Sequence, residues 1–289
     1  MKAVVDGIME PDESFRKQMD LCLWGRACEP VCPANVQYGH LLEQTREVLE
    51  EHADHPWWVR RIRSLAFKHL FPHQRRMRLL GRALRFYQRS GMQKLVRAAG
   101  VMKLFPAHLR EMERILPEAS AKGVVRELGT TVLPAVGKPI GRVGLFRGCI
   151  MDVLFAETNV NTAKLLAEAG FEVVIPDAQN CCGALHAHSG ELEQARELAQ
   201  RNIRAFREAG VDYIVSNAGG CGALLVEYDH LLRDDAQWAE EARWFAQRVK
   251  DVSQIIMERG RIPEFAADKT IETRTLTVTY QDSCHLRNV

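Results

Sequence analysis

The sequence lacks any hydrophobic run long enough to cross a membrane. Its longest stretch without Asp, Glu, Lys or Arg is the 14 residues from Tyr213 to Val226, whereas a spanning helix needs about 18 or more. The N-terminus also lacks the apolar core of a secretory signal, because acidic residues begin at Asp6. We therefore expect a cytoplasmic address, and the 46% hydrophobic content of the 289 residues predicts globular domains with cores of their own.

Two common catalytic patterns are absent as well. The sequence contains no Gly-rich phosphate-binding loop and no recognisable Ser/His/Asp arrangement, so we predict no catalytic residue in this chain. Its chemistry is expected to come from its eight cysteines. Stable disulfides are uncommon in a reducing compartment, and clustered cysteines there indicate metal ligands or redox-active thiols.

Acidic residues are missing between His55 and Arg110. This basic segment (55–110) contains 14 Lys or Arg residues, interleaved with aromatic ones, and leaves 25 basic against 37 acidic residues elsewhere. It predicts peripheral membrane contact through anionic lipid headgroups, or docking to an acidic partner subunit. An ordinary solvated face stays open as an alternative. Nucleic-acid binding is not expected, since no recognition motif accompanies the charge.

The coarse pattern changes from helical to alternating along the chain. A helix is predicted over about Tyr38–His52, followed by short amphipathic helices that are interrupted at Pro72, Gly81, Gly91, Gly100, Pro106 and Pro117. After a loop rich in Gly and Pro at 128–141, strands are predicted at 143–148, 171–176, 211–217 and 276–283, with helices at 157–169, 191–209, 222–232 and 238–259. This alternation indicates βαβ units, and therefore an α/β fold with a mainly parallel sheet.

Each predicted strand is followed by cysteine. Cys149 follows the first strand, Cys181 and Cys182 the second, Cys221 the third and Cys284 the fourth. The carboxyl ends of parallel strands meet at one edge of a sheet, so we expect the first four to form a single thiolate site. Thiolates suit iron–sulfur clusters or zinc. Buried unreactive thiols are the simpler alternative for one cysteine, but recurrence at strand ends disfavours it.

Two histidines follow the cysteine pair. His186 and His188 are candidates for extra ligands or proton carriers. We interpret both as loop or helix-capping residues.

The spacing of these cysteines resembles a known domain. The pattern is Cys149-x31-Cys181-Cys182-x38-Cys221, with Gly183 directly after the pair. It is similar to the cysteine-rich CCG domain of heterodisulfide reductases and of the iron–sulfur subunits of glycolate and lactate oxidases. The strings FRGCIMD, NCCGALHAHSG and SNAGGCGALLVEY most resemble the glycolate oxidase subunits. The fullest CCG pattern ends in Cys-x-x-Cys, whereas Leu224 occupies the last position here.

That resemblance assigns further residues. It implies that Gly183 contributes to cofactor binding, and that DSCHL (282–286) opens a second CCG domain with Cys284 as a ligand. Such subunits resemble a two-cluster ferredoxin module followed by two CCG domains. The sequence is therefore expected to be truncated at both ends.

A second motif lies near the N-terminus. Cys22, Cys28, Cys32 and Pro33 match the register of the bacterial ferredoxin motif C-x2-C-x2-C-x3-C-P, but Gly25 stands where the second cysteine belongs. The resemblance implies that Cys22 and Cys28 serve one cluster and Cys32 a neighbouring one, with Pro33 beside the cofactor. Three possibilities stay open: a degenerate site, a three-iron or labile cluster, or completion by another chain.

The resemblances together imply an electron-transfer function. The chain is expected to be the iron–sulfur subunit of a glycolate (2-hydroxy acid) oxidase or dehydrogenase, in which flavin-containing subunits oxidise the substrate and [4Fe–4S] clusters relay electrons toward a membrane quinone. Its expected location is cytoplasmic and peripheral on the inner face of the cell membrane. The alternatives are a zinc-stabilised interaction scaffold and a heterodisulfide-reductase-like thiol/disulfide protein acting through Cys181 and Cys182.

The predicted organisation has four parts. Residues 1–54 form a partial ferredoxin-like module that is mostly helical, and 55–135 form the basic helical region and linker. Residues 136–275 form the CCG domain with its βαβ parallel sheet, and 276–289 begin a second copy.

Overall fold

Helices and loops form the first part of the chain in the computed structural model, which describes residues 1–120, 122–262, 277, 279–281 and 283–289. The helices up to residue 128 are α1 Lys2–Val5, α2 Glu13–Asp20, α3 Tyr38–Glu51, α4 Trp57–Ser64, α5 Gln74–Arg89, α6 Met92–Ala98, α7 Ala107–Ile115 and α8 Val124–Leu128. A π-helical turn over Leu65–Leu70 continues α4, and a 3-10 turn over Val101–Leu104 precedes α7. The predicted helix at 38–52 and the short helices of the basic segment are confirmed.

One predicted interruption in the basic segment is wrong. Gly81 does not end a helix but lies buried inside α5. A Cβ atom at this position would lie 2.6 Å from Val153 Cγ1, so the missing side chain lets α5 pack closely against the neighbouring helix. Glycine costs helix stability of about 1 kcal/mol relative to alanine, and here it marks a packing contact instead of a break.

A five-stranded sheet forms the second part. Its strands are β1 Val132–Leu133, β2 Gly141–Leu145, β3 Phe171–Val174, β4 Tyr213–Ser216 and β5 Val249–Asp251. Their spatial order is β1-β3-β2-β4-β5, and all neighbouring pairs are parallel except β1 with β3. We call residues 132–259 the sheet region. The helices of this region are α9 Ile150–Leu154, α10 Ala156–Glu168, α11 Ala184–Ala187, α12 Leu192–Glu208, α13 Gly219–Leu225, α14 Tyr228–Leu231, α15 Ala239–Ala246 and α16 Val252–Arg259.

Apolar side chains cover both faces of this sheet. One cluster includes Val143, Leu145 and Phe171 together with α10 and α16. The other includes Phe206 and the cysteines, with α12 and α15. Strands buried on both faces are typical of parallel sheets, because crossover helices lie over each side. The predicted α/β fold, with a mostly helical part followed by a mainly parallel sheet, is confirmed.

Two short strands were not predicted. β1 lies inside the predicted loop at 128–141, and β5 interrupts the predicted helix at 238–259. They contain two and three residues, too few for an alternating pattern to be recognised. The predicted helix at 222–232 is likewise divided into α13 and α14, and α9 was not predicted.

The C-terminal prediction is only partly testable. Residues 276, 278 and 282 of the predicted strand at 276–283 lie outside the described residues, and its described members are not in a strand. Helix α17, Cys284–Asn288, follows it. The domain boundaries at 54, 135 and 275 stay predictions. Among the helices that the structure describes, none has the length and apolar character needed to span a bilayer.

Candidate metal centre

Four cysteines meet at the carboxyl edge of the sheet. Cys149 lies between β2 and α9, Cys181 and Cys182 lie between β3 and α11, and Cys221 lies in the first turn of α13 after β4. The Sγ atoms of Cys149 and Cys181 are 3.4 Å apart, and Cys182 is hydrogen-bonded to both Cys181 and Cys221. The structure thus brings together the four residues that the strand-end argument selected. We call them the cysteine cluster.

The cluster holds one thiol in a form suited to binding metal. Hydrogen bonds from Cys181 and Cys221 lower the pKa of Cys182 well below its usual value, although burial opposes them. The same contacts, with burial, raise the pKa of Cys221, and the bond to Cys149 raises that of Cys181. Thiolates, not thiols, are metal ligands, so the lowered pKa of Cys182 favours metal binding at the cluster.

A tight turn presents backbone donors to the cysteine pair. Gly183 has φ +92°, a left-handed conformation that side chains rarely adopt, and a Cβ there would lie 3.4 Å from the backbone of Ala195. The Gly183 N–H points at Cys181 Sγ and the Ala184 N–H at Cys182 Sγ, each at 3.5 Å. Hydrogen bonds to cysteine sulfur tune the potential of iron–sulfur clusters. Gly183 would therefore act on a cofactor through its backbone.

Two buried polar residues hydrogen-bond to the backbone carbonyls of the cysteine pair. The sequence analysis did not identify either of them. Asn202 Nδ2 donates to the Cys181 carbonyl at 2.9 Å, and the Tyr228 hydroxyl donates to the Cys182 carbonyl at 2.7 Å. Asn202 also donates to the Tyr228 oxygen at 3.0 Å. Both side chains are fully buried. The only sequence signal was Tyr228 in the quoted string after Cys221, since Asn202 lies on an ordinary amphipathic helix.

A buried carboxylate connects α9 to the basic segment. Asp152, three residues after Cys149, accepts hydrogen bonds from Gln74 Nε2 at 2.7 Å, Arg78 Nε at 3.1 Å and the Val124 N–H at 2.8 Å. Its side chain has no exposed surface. One carboxylate therefore joins helix α5 and the start of α8 to α9, the helix that follows the first cysteine of the cluster.

A buried guanidinium lies next to the same carboxylate. Arg147 is 1% exposed and precedes Cys149 by two residues. Burial lowers its pKa, while the charge of Asp152 opposes that shift. Its Nη1 pairs with Asp177 Oδ1 at 3.1 Å, and its Nε has no hydrogen-bond partner among the described residues. A positive charge is thus retained beside the cysteine cluster.

The three N-terminal cysteines lie in one irregular loop. Cys28 is exposed, whereas Cys22 and Cys32 are half-buried. Burial and the neighbouring Cys22, to which Tyr38 is hydrogen-bonded, raise the pKa of Tyr38. Left-handed backbone at the non-glycine residues Trp24, Arg26 and Asn35 (φ 61°, 54° and 50°) marks a strained loop. We call residues 21–35 the cysteine loop; Pro33 is exposed on it.

The cysteine loop packs directly against the sheet region. The Trp24 ring lies 4.2 Å from the His188 ring, and Arg46 stacks over Trp24 while donating to the His188 carbonyl at 2.7 Å. His188 in turn contributes to lowering the pKa of Cys182. Contacts through Trp24 and Arg46 therefore join the cysteine loop to His188, at the end of the helix that follows the cysteine pair.

An ion-pair network reinforces this contact. Arg26, 7% exposed, donates to both carboxylate oxygens of Glu29 at 2.9 Å and to Glu227 at 2.6 Å. His40 Nε2 lies 3.0 Å from the same Glu227 oxygen. Burial alone would raise the pKa of Glu227, but its bonds to His40 and Arg26 outweigh burial and lower it.

The remaining candidates are placed as follows. His186 is fully buried in α11, and its Nε2 donates to the Phe67 carbonyl at 2.9 Å, whereas His188 lies at the end of that helix. Cys284 is exposed at the start of α17. This helix packs on α13, with Ser283 Oγ 2.8 Å from a Cβ built at Gly219. Cys284 thus lies next to the element that carries Cys221, and no side-chain hydrogen bond joins it to another residue of the described ranges.

The thiol donors of the cysteine cluster are of the kind that holds iron–sulfur clusters. In the described part of the chain, no group of three or more His, Cys, Asp or Glu side chains is arranged around one metal ion. Ligands of an iron–sulfur cluster bind different iron atoms and need not converge on one point. The clustered sulfurs, the lowered pKa of Cys182 and the N–H donors aimed at sulfur all suit such a group.

Comparison with known proteins identifies the parts of the chain. Residues 143–226, which contain the cysteine cluster, match the family model described as a cysteine-rich domain, CCG. Residues 58–116, most of the basic segment, match the linker region of glycolate oxidase iron–sulfur subunits. The sheet region thus contains a CCG domain, as predicted from the cysteine spacing.

Curated relatives extend the similarity over the whole chain. The chain is 48% identical over its full length to the probable glycolate oxidase iron-sulfur subunit of Bacillus subtilis (strain 168), of which it covers 64%. It is 27% identical over 264 residues, 89% of its length, to the glycolate oxidase iron-sulfur subunit of Escherichia coli (strain K12), covering 58% of it. Half of the chain, 145 residues, is 34% identical to 58% of the lactate utilization protein A of Geobacillus thermodenitrificans (strain NG80-2).

The predicted resemblance to the iron–sulfur subunits of glycolate oxidases is confirmed. It spans about three fifths of the length of these relatives. No solved structure matches it.

Proposed function

We propose that this chain is the electron-transfer subunit of a glycolate (2-hydroxy acid) oxidase or dehydrogenase complex. The observation that carries the proposal is the convergence of Cys149, Cys181, Cys182 and Cys221 at the carboxyl edge of the sheet. A bound iron–sulfur cluster, expected as [4Fe–4S], supplies reversible one-electron transfer. Flavin-containing partner subunits oxidise the hydroxy acid, and the electrons pass through this chain toward a membrane quinone.

The cysteine cluster would hold the cofactor of the CCG domain. Cys149, Cys181, Cys182 and Cys221 supply the thiolates, and the backbone of Gly183 donates toward sulfur. Arg147 keeps a buried positive charge two residues from Cys149, which favours binding of an anionic cluster. Asn202 and Tyr228 hold the cysteine pair in place through hydrogen bonds to its backbone carbonyls.

The cysteine loop would form, or contribute to, a second site. Cys22, Cys28 and Cys32 keep the ligand roles that the ferredoxin motif implies, with Pro33 beside them. Contact of Trp24 with His188 supports electron transfer between the loop and the cysteine cluster. Cys284 is proposed as the first ligand of a second CCG domain, within the four-part organisation given above.

The basic segment 55–110 would bring the subunit to the membrane. Its charge suits peripheral contact at the cytoplasmic face, where anionic lipids concentrate. This location would shorten the path of electrons to a quinone dissolved in the bilayer.

Anaerobic purification tests the relay. We expect visible charge-transfer absorption with iron and acid-labile sulfide bound in equal amounts. Colourless protein that contains zinc would overturn the proposal in favour of a zinc scaffold.

A matched pair of serine variants locates the site. Cys181→Ser, inside the cysteine cluster, should lose the iron bound by the CCG domain, whereas Cys284→Ser, exposed and outside it, should retain that iron. Equal loss in the two variants, or no loss in Cys181→Ser, would contradict the assignment.

A further inference from the structure

The helices of the basic segment present a two-sided charge pattern. We propose that the outward faces of α4 and α5 form a docking surface for an anionic phospholipid bilayer; this deepens the proposed function, because it names which side chains make the membrane contact. The occupant is a lipid surface, and it is recognised by unpaired cations interleaved with exposed aromatic and aliphatic side chains.

The inward side of α4 is fixed to the sheet region. Arg63 donates to Glu191 Oε1 and to the Ser189 carbonyl, each at 3.0 Å, and it pairs with Glu50 at 3.1 Å. In the turn that follows, the Phe67 carbonyl accepts from the buried His186. These contacts set the rotation of the helix.

The outward side of α4 has the opposite composition. Trp58, Ile62 and Leu65 are 53%, 59% and 62% exposed. They recur at helical spacing with Arg61, which is exposed and has no hydrogen bond or ion pair in the described structure. Trp57, 71% exposed, begins the same helix.

Helix α5 repeats this division. Its inward side carries Gln74 and Arg78, both bonded to the buried Asp152. Its outward side carries Leu79 and Phe86, which are 59% and 64% exposed. Two cations, Arg75 and Arg82, lie on the same side of the helix.

Arg75 and Arg82 are exposed at the same helical spacing as Leu79 and Phe86. Neither has a partner among the described residues, whereas Arg85, which turns inward, donates to the Ala119 carbonyl at 2.8 Å. Arg63 and Arg78 are thus paired with carboxylates of the protein, whereas Arg61, Arg75 and Arg82 have no carboxylate partner among the described residues. We call Trp58, Arg61, Ile62, Leu65, Arg75, Leu79, Arg82 and Phe86 the outer face.

The chemistry of the outer face favours lipid over a protein partner. The basic segment contains no acidic residue, so the face cannot satisfy its own cations. Amphipathic helices with Lys or Arg beside Trp, Phe and Leu lie in the bilayer interface, with the apolar side chains below the headgroups. Aromatic side chains such as Trp58 prefer that depth. Other side chains of the two helices, Arg63 on α4 and Gln74 on α5, bond to the sheet region.

The test is co-sedimentation of the anaerobically purified full chain with vesicles. We expect binding to vesicles of phosphatidylglycerol and phosphatidylcholine, weaker binding as salt is raised, and little binding to phosphatidylcholine alone. Each basic residue near an anionic surface contributes a factor of about five. The triple variant Arg61→Gln, Arg75→Gln, Arg82→Gln should therefore bind about a hundredfold more weakly.

A matched triple variant controls for total charge. Arg126→Gln, Lys138→Gln, Arg243→Gln removes three exposed, unpaired cations elsewhere in the described chain, and it should change binding less than about threefold. Equal weakening by the two triples would overturn the proposal, as would failure of the wild type to bind anionic vesicles. The latter result, combined with loss of an acidic partner subunit in the outer-face triple, would assign the face to protein docking.

The iron measurement keeps this test separate from that of the relay. Iron content is determined on the same samples, so vesicle binding by iron-free protein would support the outer face while the relay fails. Iron-loaded protein that does not bind anionic vesicles would overturn the proposed membrane contact of the outer face and leave the electron-transfer proposal standing.

Discussion

Replacing Asp152 by asparagine should destabilise the protein more than any other single Asp→Asn change in its network. The carboxylate is fully buried and accepts from Gln74, Arg78 and the Val124 N–H. Asparagine keeps nearly the same shape but removes the charge. It would leave Arg78, and the nearby buried Arg147, without their common counter-ion.

The magnitude follows from burial. Removing one partner of a buried charge pair costs about 3–5 kcal/mol, because the other charge is left uncompensated. The Arg78 side chain is 21% exposed, so water relieves part of that cost and the lower end applies. We expect a loss of about 3 kcal/mol in the free energy of unfolding. With a urea m-value of about 3 kcal/mol/M, the denaturation midpoint falls by about 1 M.

The assay is urea denaturation followed by circular dichroism, with Asp177→Asn as the matched control. Asp177 also pairs with Arg147, but its side chain is 69% exposed, and Arg147 Nη2 keeps its bond to the Asp177 carbonyl. Because water screens the exposed carboxylate of this pair, we expect it to contribute about 1 kcal/mol or less, so the control midpoint should fall by no more than about 0.3 M. Equal shifts in the two variants would refute the reasoning.

Three further outcomes are expected. The bonds to His40 and Arg26 lower the pKa of Glu227 below its usual 4.5. The stability that Glu227 adds is therefore complete above pH 4.5 and is lost as the pH falls through the lowered pKa. In urea titrations, the midpoint difference between wild type and Glu227→Gln should shrink as the pH falls through that range. Gly81→Ala should lower the thermal midpoint, because its Cβ would lie 2.6 Å from Val153 Cγ1 and overpacking costs about 1–3 kcal/mol. Gly25→Cys should raise the iron bound after anaerobic reconstitution, since a Cβ at Gly25 meets nothing within 4 Å and a thiol there restores the ferredoxin spacing.

Each of these has an outcome that would count against it. A midpoint difference for Glu227→Gln that does not shrink as the pH is lowered below the usual range of a carboxyl group would remove the carboxylate from the network. Unchanged stability in Gly81→Ala would mean that helix propensity, about 1 kcal/mol in favour of alanine, outweighs the contact. Iron content in Gly25→Cys equal to that of the wild type would favour a degenerate loop.

The elements that the sequence predicted correctly are those with strong local signals. β2, β3 and β4 are apolar runs bounded by Gly or loop residues, and α12 carries apolar residues at helical spacing over 17 residues. β1 and β5 were missed because they are short edge strands whose conformation is set by pairing with β3 and β4. Local pattern fails where pairing with a distant partner decides the structure.

The residues of the candidate site also fall into those that the sequence predicted and those that only the structure identified. Cys149, Cys181, Cys182 and Cys221 were found from the sequence, because each follows a predicted parallel strand and such strands end at one edge. Asn202 and Tyr228 were not found, since their partners are carbonyls 21 and 46 residues away. The role of Asp152 depends on a helix 78 residues earlier.

The sequence by itself determined the resemblance to glycolate oxidase iron–sulfur subunits and predicted which cysteines meet at the sheet edge, because cysteine spacing is covalent and each strand-to-helix junction is local. Only the tertiary structure decided which basic side chains of α4 and α5 have a carboxylate partner among the described residues and which do not. The same run of arginines contains Arg78, held inward by a buried carboxylate, and Arg82, one turn later and directed to solvent. Packing of α5 against Val153, not the sequence pattern of charge, fixes that rotation. The cysteine cluster could therefore be predicted from the sequence, whereas the outer face could be identified only from the tertiary structure.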